Sequence, residues 1–192
     1  VKRELMSFDV AKRAVDFLIQ MSGSRQHCEI DFFGGEPLLN WEVVKQTVEY
    51  IEQEAPKYNK IFKLTLTTNG MLLNQEKIDY VNEHKMSLVL SLDGREDVHN
   101  AMRPVAGSGA NSYEYIAKNL VNAVKQRHGL EYYVRGTYTH KNLDFTKDVM
   151  AMSDLGFEHL SMEPVVGEDG DYVLREEDWP ALEKEYEKQK YT

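Results

Sequence analysis

The residues best suited to chemistry occur where strand-like runs of the sequence end. The first run, residues 29–33, is followed by Gly34-Gly35-Glu36-Pro37. Later runs end in comparable stretches: Thr67-Thr68-Asn69-Gly70, Ser91-Leu92-Asp93-Gly94, Arg135-Gly136-Thr137 and Glu163-Pro164. Glycines at such turns let backbone groups approach a ligand closely, and charged side chains add strong hydrogen bonds. Together these stretches suit a zwitterionic, hydroxyl-rich ligand.

Each candidate side chain matches one part of such a ligand. Glu36 suits an ammonium group, and either Arg103 or Arg135 suits a carboxylate. The candidates for ribose hydroxyls are Asn69, Ser91 and Asp93. Gly, Asn, Asp and Pro also form ordinary turns, and for any single loop a turn is the stronger interpretation. Five such loops at one rim of a sheet favour a site.

The elements that would position these residues alternate between helical and strand patterns. Helices are predicted at residues 7–21, 40–55, 74–84, 112–128, 144–155 and 175–190. Strands are predicted at residues 29–33, 62–68, 88–92, 132–139 and 159–166. The apolar positions that define the first helix are Val10, Ala14, Phe17, Leu18 and Met21. This order predicts an α/β fold with a mainly parallel sheet, either doubly wound or curved into a partial barrel.

Strand alternation divides the polar and apolar residues between two faces of this sheet. Leu64, Leu66, Leu90 and Leu92 are expected to pack under helices. Polar residues take the other face: Thr65, Thr67, Asn69, Ser91, Asp93, Arg135 and Thr137. In parallel α/β sheets ligands bind beyond the carboxyl ends of the strands, which is where the candidate residues lie.

Composition excludes several classes of protein. With 23 Lys and Arg against 32 Asp and Glu, the formal net charge is −9, which argues against nucleic-acid and anionic-membrane binding. No apolar run reaches the ~18 residues of a membrane-spanning helix. A single cysteine excludes an internal disulfide framework and indicates a reducing, cytoplasmic location. No paired histidine motif occurs, so no metal site is expected.

Three of these stretches resemble a known enzyme family in order and spacing. Residues 33–38 (FGGEPL), 66–70 (LTTNG) and 90–94 (LSLDG), followed by His99 and Arg103, resemble the radical S-adenosylmethionine (radical SAM) enzymes of the branch with a C-terminal SPASM cluster domain. The resemblance covers residues 1–168. Residues 133–139, 142–146, 154–157 and 163–166 resemble in particular the maturases of six-cysteine (SCIFF) peptides, which form Cys-to-Thr thioether links. The nearest alternative is the anaerobic sulfatase maturase, which makes formylglycine.

The resemblance implies a TIM-like partial (β/α) barrel of the radical SAM type that holds S-adenosylmethionine and a [4Fe–4S] cluster. A 5′-deoxyadenosyl radical would abstract hydrogen from a small cysteine-containing precursor peptide or a sulfatase segment. The methionyl ammonium would be held by Gly34, Gly35 and Glu36, and Asn69, Ser91, Arg103 and Arg135 would contact ribose and carboxylate. The full set of expected cofactor residues is Gly34, Gly35, Glu36, Pro37, Thr67, Asn69, Ser91, Asp93, Arg103 and Arg135. No catalytic acid or base is identified.

The sequence departs from the family in its cysteines. It lacks the Cys-x-x-x-Cys-x-x-Cys loop, and Cys28 is expected to be a buried, inert thiol. We therefore expect an internal fragment without its first strand, cluster loop and SPASM domain. Residues 1–170 would be the truncated core, and residues 171–192 a charged helix leading to the absent cluster domain. Such a fragment would bind no cluster, be inactive and self-associate through its truncated edge; a non-catalytic α/β ligand-binding module is the competing interpretation.

Two further side chains have defined expectations. His99 is expected to make a structural hydrogen bond rather than to act in acid–base catalysis. Asp31 shares a strand face with Glu29 and Phe33. It is expected either to border the substrate or to be a buried, hydrogen-bonded carboxylate, and the sequence favours neither.

Overall fold

The structure is a computed structural model that describes residues 4–105, 107–168 and 170–189. Its helices are α1 (Phe8–Met21), α2 (Trp41–Glu54), α3 (Gln75–Glu83), α4 (Glu96–Met102), α5 (Tyr113–Lys125), α6 (Thr146–Asp154) and α7 (Trp179–Gln189). Its strands are β1 (His27–Phe32), β2 (Ile61–Thr68), β3 (Ser87–Ser91), β4 (Tyr132–Tyr138) and β5 (Leu160–Pro164). Short 3₁₀ turns occupy Pro37–Asn40, Ala55–Tyr58 and Glu176–Asp178.

The five strands form one sheet in chain order. β1 pairs with β2 in parallel, with Asp31 opposite Thr65, and β4 pairs with β5 in parallel, with Thr137 opposite Glu163. The predicted α/β class is confirmed. No helix within the described residues combines the length and apolar character that crossing a membrane requires.

The sequence patterns missed α4 and misplaced the end of α5. α4 has seven residues, of which only His99 is buried, so it shows no apolar period. α5 ends at Lys125 rather than residue 128, because His128 and Gly129 take positive φ values of 44° and 85°. A positive φ cannot continue a right-handed helix.

The chain divides into two compact units, and the first contains Val1–Thr68, Leu72–Val89 and Arg127–Glu131. Here α1 packs on α2 through a row that differs from the expected apolar positions. The buried residues of α1 are Ala11, Val15 and Ile19. Val10, Ala14, Phe17 and Met21 are exposed instead and Leu18 is half-buried. Both rows repeat with the helical period, so periodicity could not select the buried one.

A buried guanidinium connects elements of this unit. Arg127 is 2% exposed; its Nη2 donates to the carbonyls of Met86 (2.5 Å) and Glu131 (2.7 Å), and its Nη1 to Asn82 Oδ1 (2.6 Å). Burial lowers the pKa of Arg127 to about 10, although the negative charge of Glu131 acts to raise that pKa. The Met86 carbonyl is the buried acceptor of the three, whereas Asn82 is half-buried and Glu131 is exposed.

Replacing Arg127 with methionine is expected to lower the free energy of unfolding by about 2 kcal/mol, since the buried Met86 carbonyl loses its donor. Chemical denaturation measures this change. Arg25→Met is the matched control: Arg25 is exposed, and its replacement is expected to alter stability by about 0.5 kcal/mol or less. Equal stability of the two variants would contradict the assignment of Arg127 as a structural donor.

The second unit contains Asn69–Met71, Leu90–Gln126 and Tyr132–Thr192. Its core includes Tyr138, Phe145 and Leu182, with the Tyr138 and Phe145 rings stacked at 4.5 Å. This packing attaches α7 to β4 and α6. Leu92 and Leu90, like Leu64 and Leu66 of the first unit, are buried as predicted.

A charged network holds the turn that follows β3. The Arg95 guanidinium donates to Asp148 (2.7 Å) and Asp144 (2.7 Å), and the Arg95 backbone N–H also donates to Asp148 (3.1 Å). Asn142 Nδ2 donates to the same Asp148 carboxylate (3.0 Å). The hydrogen bond that Arg95 donates to Asp148 raises the pKa of Arg95, desolvation opposes this rise, and the bond that Arg95 donates to Asp144 adds to it. The network fixes residues 93–95 against the start of α6.

Candidate functional site

The segment Gly34–Pro37 joins β1 to the first 3₁₀ turn. Gly34 has a φ of +139°, and a Cβ added at Gly34 or Gly35 would meet no atom within 4 Å. The backbone here is thus open beside both glycines. Glu36 Oε1 accepts hydrogen bonds from the Leu38 N–H (3.0 Å) and the Thr68 hydroxyl (2.7 Å). These bonds fix the Glu36 carboxylate beside the ends of β1 and β2.

A second carboxylate lies on the neighbouring part of β1. The Thr67 hydroxyl donates to the two oxygens of Asp31 at 3.0 and 3.1 Å. Asp31 is exposed, as are Glu29 and Phe33 on the same face. The expectation that Asp31 is a buried carboxylate is therefore wrong. A position bordering the substrate stays a prediction.

In the second unit Asp93 binds Arg103 directly. Arg103 Nε donates to Asp93 Oδ2 (2.6 Å) and Arg103 Nη2 to Asp93 Oδ1 (3.2 Å), which also accepts from the Thr137 N–H (3.0 Å). The Asp93 side chain is 2% exposed and that of Arg103 is 34% exposed. Asp93 thus orients a guanidinium that solvent, or a ligand, can reach.

His99 makes the structural hydrogen bonds that the sequence predicted. Its Nδ1 lies 3.3 Å from the Asp93 backbone nitrogen and its Nε2 lies 3.2 Å from the Ser112 hydroxyl. Burial lowers the pKa of His99 to about 4; the Arg103 charge also lowers it, and the Asp93 charge opposes both. A neutral, fully buried imidazole does not shuttle protons near neutral pH.

The remaining candidates have ordinary local contacts. Arg135 Nη2 donates to Glu163 at 2.5 Å, and both side chains are nearly half exposed. The Met71 N–H donates to Asn69 Oδ1 at 2.9 Å, which stabilises the turn after β2. Ser91 is half-buried at the end of β3. Their contacts with a ligand stay predictions.

Within each unit the structure brings only some of the candidates together. In the first unit Glu36 and Thr67 lie near the ends of β1 and β2, although the residue bonded to Glu36 is Thr68. In the second unit Asp93 and Arg103 are in direct contact. Sequence reasoning missed Thr68 because strand alternation assigned it to the opposite face. It missed Ser112 because no short-range pattern joins this residue to His99.

One group of potential metal ligands is present in the described residues. Ligand atoms of His140, Glu177 and Asp178 lie within 4.8 Å of one another. Other contacts account for the group: His140 Nδ1 is 2.9 Å from Asp178, and Asp178 accepts from the Arg175 N–H (2.8 Å) in the capping box of the last 3₁₀ turn. Burial raises the pKa of Asp178, but the hydrogen bonds from His140 and from the Arg175 backbone lower it, and the pKa ends below its usual value.

Most of the chain is similar to known proteins. Residues 1–152 match the family model of the radical SAM superfamily. A cysteine-type anaerobic sulfatase-maturating enzyme of Clostridium perfringens is 35% identical over 78 residues, which are 40% of this chain and 21% of that protein. The radical SAM cyclopropyl synthase TigE of Paramaledivibacter caminithermalis is 23% identical over 121 residues, 62% of this chain and 24% of that protein.

A solved structure shows the same fold. Native anSMEcpe with bound AdoMet superposes with a TM-score of 0.84 at 22% identity, covering 97% of this chain and 52% of that one. The chain therefore belongs to the radical SAM superfamily, whose members use S-adenosylmethionine and a [4Fe–4S] cluster. It spans about half or less of the length of these relatives.

The residues of this chain fit one of these two cofactors. The first unit offers open glycine backbone and a fixed carboxylate at Glu36, and the second unit separately offers an oriented guanidinium at Arg103. Each is a donor or acceptor type that suits a group of an amino acid with a ribose. A [4Fe–4S] cluster needs several cysteine thiolates. The sequence has only Cys28, which is 6% exposed within β1. The chain's own side chains thus do not fit the cluster.

Proposed function

We propose that this chain is the S-adenosylmethionine-binding core of a radical SAM enzyme that forms cysteine thioether cross-links in a ribosomal peptide. The observation that carries the proposal is the fixed Glu36 carboxylate beside the open Gly34-Gly35 backbone. The family membership supports the reaction class, and the sequence resemblance at residues 133–139 and 163–166 supports the thioether product. Residues 1–170 would form the core and residues 171–192 a linker to a further domain, in a cytoplasmic protein.

In this proposal the chain's residues bind and orient the cofactor. Glu36, held by Leu38 and Thr68, accepts the ammonium group, and Gly34 and Gly35 allow the chain to approach it. Arg103, held by Asp93, donates hydrogen bonds to the carboxylate. When bound, the cofactor supplies the 5′-deoxyadenosyl radical that removes a hydrogen from the peptide.

The other expected cofactor contacts complete the proposal. Pro37 starts the 3₁₀ turn in which the Leu38 N–H donates to the Glu36 side chain, and it is proposed to keep that carboxylate in place. Asn69, Ser91 and Arg135 are proposed contacts for ribose and carboxylate oxygens. Thr67 is proposed to act through Asp31, to which its hydroxyl is bonded.

Formylglycine formation is the second candidate, and the similarity to the Clostridium perfringens sulfatase-maturating enzyme favours it. The solved structure with bound Kp18Cys peptide supports a peptide substrate in both cases. Mass spectrometry of a reacted cysteine peptide distinguishes the products. A thioether link removes a pair of hydrogens and keeps the sulfur, whereas formylglycine formation removes the sulfur of the cysteine.

The test uses the longer enzyme of which this chain is proposed to be the core, with its cluster, S-adenosylmethionine and a reductant, and measures 5′-deoxyadenosine. Glu36→Gln is expected to lower its production at least ~10-fold, because a charge-assisted hydrogen bond to the ammonium is lost. Glu42→Gln is the matched control, since Glu42 is 76% exposed and lies outside the site. Absence of 5′-deoxyadenosine from wild-type protein that carries its cluster would overturn the proposed function.

A further inference from the structure

A closed ring of hydrogen bonds surrounds the turn between β3 and α4. The Asp93 N–H donates to His99 Nδ1 (3.3 Å), and His99 Nε2 lies 3.2 Å from the Ser112 hydroxyl. Ser112 Oγ donates to the backbone carbonyl of Arg103 (2.6 Å). The Arg103 Nε donates in turn to the Asp93 carboxylate (2.6 Å), which closes the ring. Asp93 in the turn after β3, His99 in α4, Arg103 at the end of α4 and Ser112 just before α5 thus fix one another.

The direction of each bond is determined by the available hydrogens. The Ser112 hydroxyl has one hydrogen, which the short bond to Arg103 uses, so it accepts from His99 Nε2–H. His99 Nδ1 then carries no proton and accepts from the Asp93 N–H. His99 and Asp93 are 0% and 1% exposed, so water does not compete for these positions. His99 is a neutral imidazole in one tautomer.

We propose that His99 is a positioning residue for the guanidinium of Arg103. It joins the two ends of the segment 93–103: one nitrogen holds the backbone of Asp93, and the other holds, through Ser112, the backbone of Arg103. The Asp93 carboxylate binds the Arg103 side chain between these two fixed backbone positions. The imidazole therefore determines the position of the exposed part of the Arg103 guanidinium. The inference rests on the proposed function, in which Arg103 receives the cofactor carboxylate.

Removing the imidazole leaves Asp93 and Arg103 able to pair but no longer fixed relative to β3 and α5. The Asp93 N–H would lose its buried acceptor and Ser112 its donor. Ser112→Ala breaks the same ring at another bond, and it is expected to have the same kind of effect as His99→Leu. Arg103 would then sample several orientations, which weakens a bidentate contact more than it weakens a diffuse one.

The first measurement does not depend on the cofactor. In protein labelled with ¹⁵N-arginine, the Nε–H of Arg103 should give a slowly exchanging resonance, because it donates to a carboxylate that is 2% exposed. His99→Leu and Ser112→Ala are expected to broaden this signal or speed its exchange by about tenfold or more. Leu182→Ala is the matched stability control, since Leu182 is buried in the core of the same unit but lies outside the ring.

The second measurement is the Kd of S-adenosylmethionine, by calorimetry on the longer parent enzyme with its cluster. His99→Leu is expected to weaken binding roughly tenfold, and Leu182→Ala, at equal loss of thermal stability, by less than about twofold. In an Arg103→Met background His99→Leu is expected to change the Kd by less than about twofold, because it acts through Arg103.

The outcomes separate the two proposals. The positioning role is overturned if the Arg103 resonance is unchanged in His99→Leu. It is also overturned if His99→Leu weakens S-adenosylmethionine binding equally in the wild-type and Arg103→Met backgrounds. In both cases the proposed function stands. A wild-type protein that carries its cluster and does not bind S-adenosylmethionine overturns the proposed function, and the resonance of Arg103 then still reports whether His99 fixes it.

Discussion

Replacing Gly94 with alanine is expected to lower the free energy of unfolding by about 3 kcal/mol, one of the two largest stability effects that we predict. Gly94 has a φ of +94°, and an added Cβ would lie 2.2 Å from the Cβ and 2.6 Å from the Cα of Asp148. The positive φ costs an alanine about 1–2 kcal/mol, and overpacking against backbone adds about 1–3 kcal/mol. The backbone of α6 cannot move away, because Asp148 is bonded to Arg95 and Asn142.

Gly156→Ala separates these two causes. Gly156 has nearly the same φ, +90°, but a Cβ there would meet nothing within 4 Å. Its replacement is expected to cost only the about 1–2 kcal/mol of backbone strain. Urea denaturation of both variants measures the difference. If the two alanines proved equally destabilising, the close approach of Gly94 to Asp148 would not be the cause.

Replacing Asp148 with asparagine is expected to lower the free energy of unfolding by about 3–5 kcal/mol. Asp148 has a fully buried side chain and accepts from the Arg95 backbone, the Arg95 guanidinium and Asn142. Removing the buried carboxylate leaves the Arg95 guanidinium with the more exposed Asp144 as its charged partner, and breaking a buried ion pair is strongly destabilising. The new amide group also directs N–H groups at donors, so one or more of these bonds is lost.

Asp144→Asn is the control for this variant, because Asp144 binds the same guanidinium from a side chain that is 40% exposed. Solvent screens this second pair, so its removal is expected to cost about 1 kcal/mol or less. Thermal denaturation of both variants tests the prediction. Similar losses would mean that burial does not determine the strength of the Arg95 pairs.

The pair between Arg95 and Asp144 also predicts how stability declines in acid. The hydrogen bond from Arg95 lowers the pKa of Asp144 to about 2, against desolvation, which raises it; Lys147 adds a further lowering bond. A carboxyl whose folded pKa is depressed contributes stability above its unfolded pKa, near 4, and loses it as the pH falls toward 2. The Asp144→Asn variant should therefore show a shallower decline in stability across that window.

The sequence by itself determined the class of fold and the family. Alternation of helical and strand periods predicted five parallel strands with helices, because each period records which faces of an element are buried. Glycine and polar residues at strand ends located the expected loops, and their order and spacing identified the radical SAM resemblance. The burial of Cys28 and the structural role of His99 also followed from residue type and local position.

Tertiary structure alone decided which side chains meet. The buried row of α1 is Ala11, Val15 and Ile19 although a second apolar row has the same period, because the choice depends on the position of α2. Asp31 is exposed rather than buried for a similar reason: its neighbours belong to another strand. The bonds joining His99 to Ser112 and Arg95 to Asp148 span 13 and 53 residues. Contacts over such separations are set by how the elements pack, which local periodicity does not record.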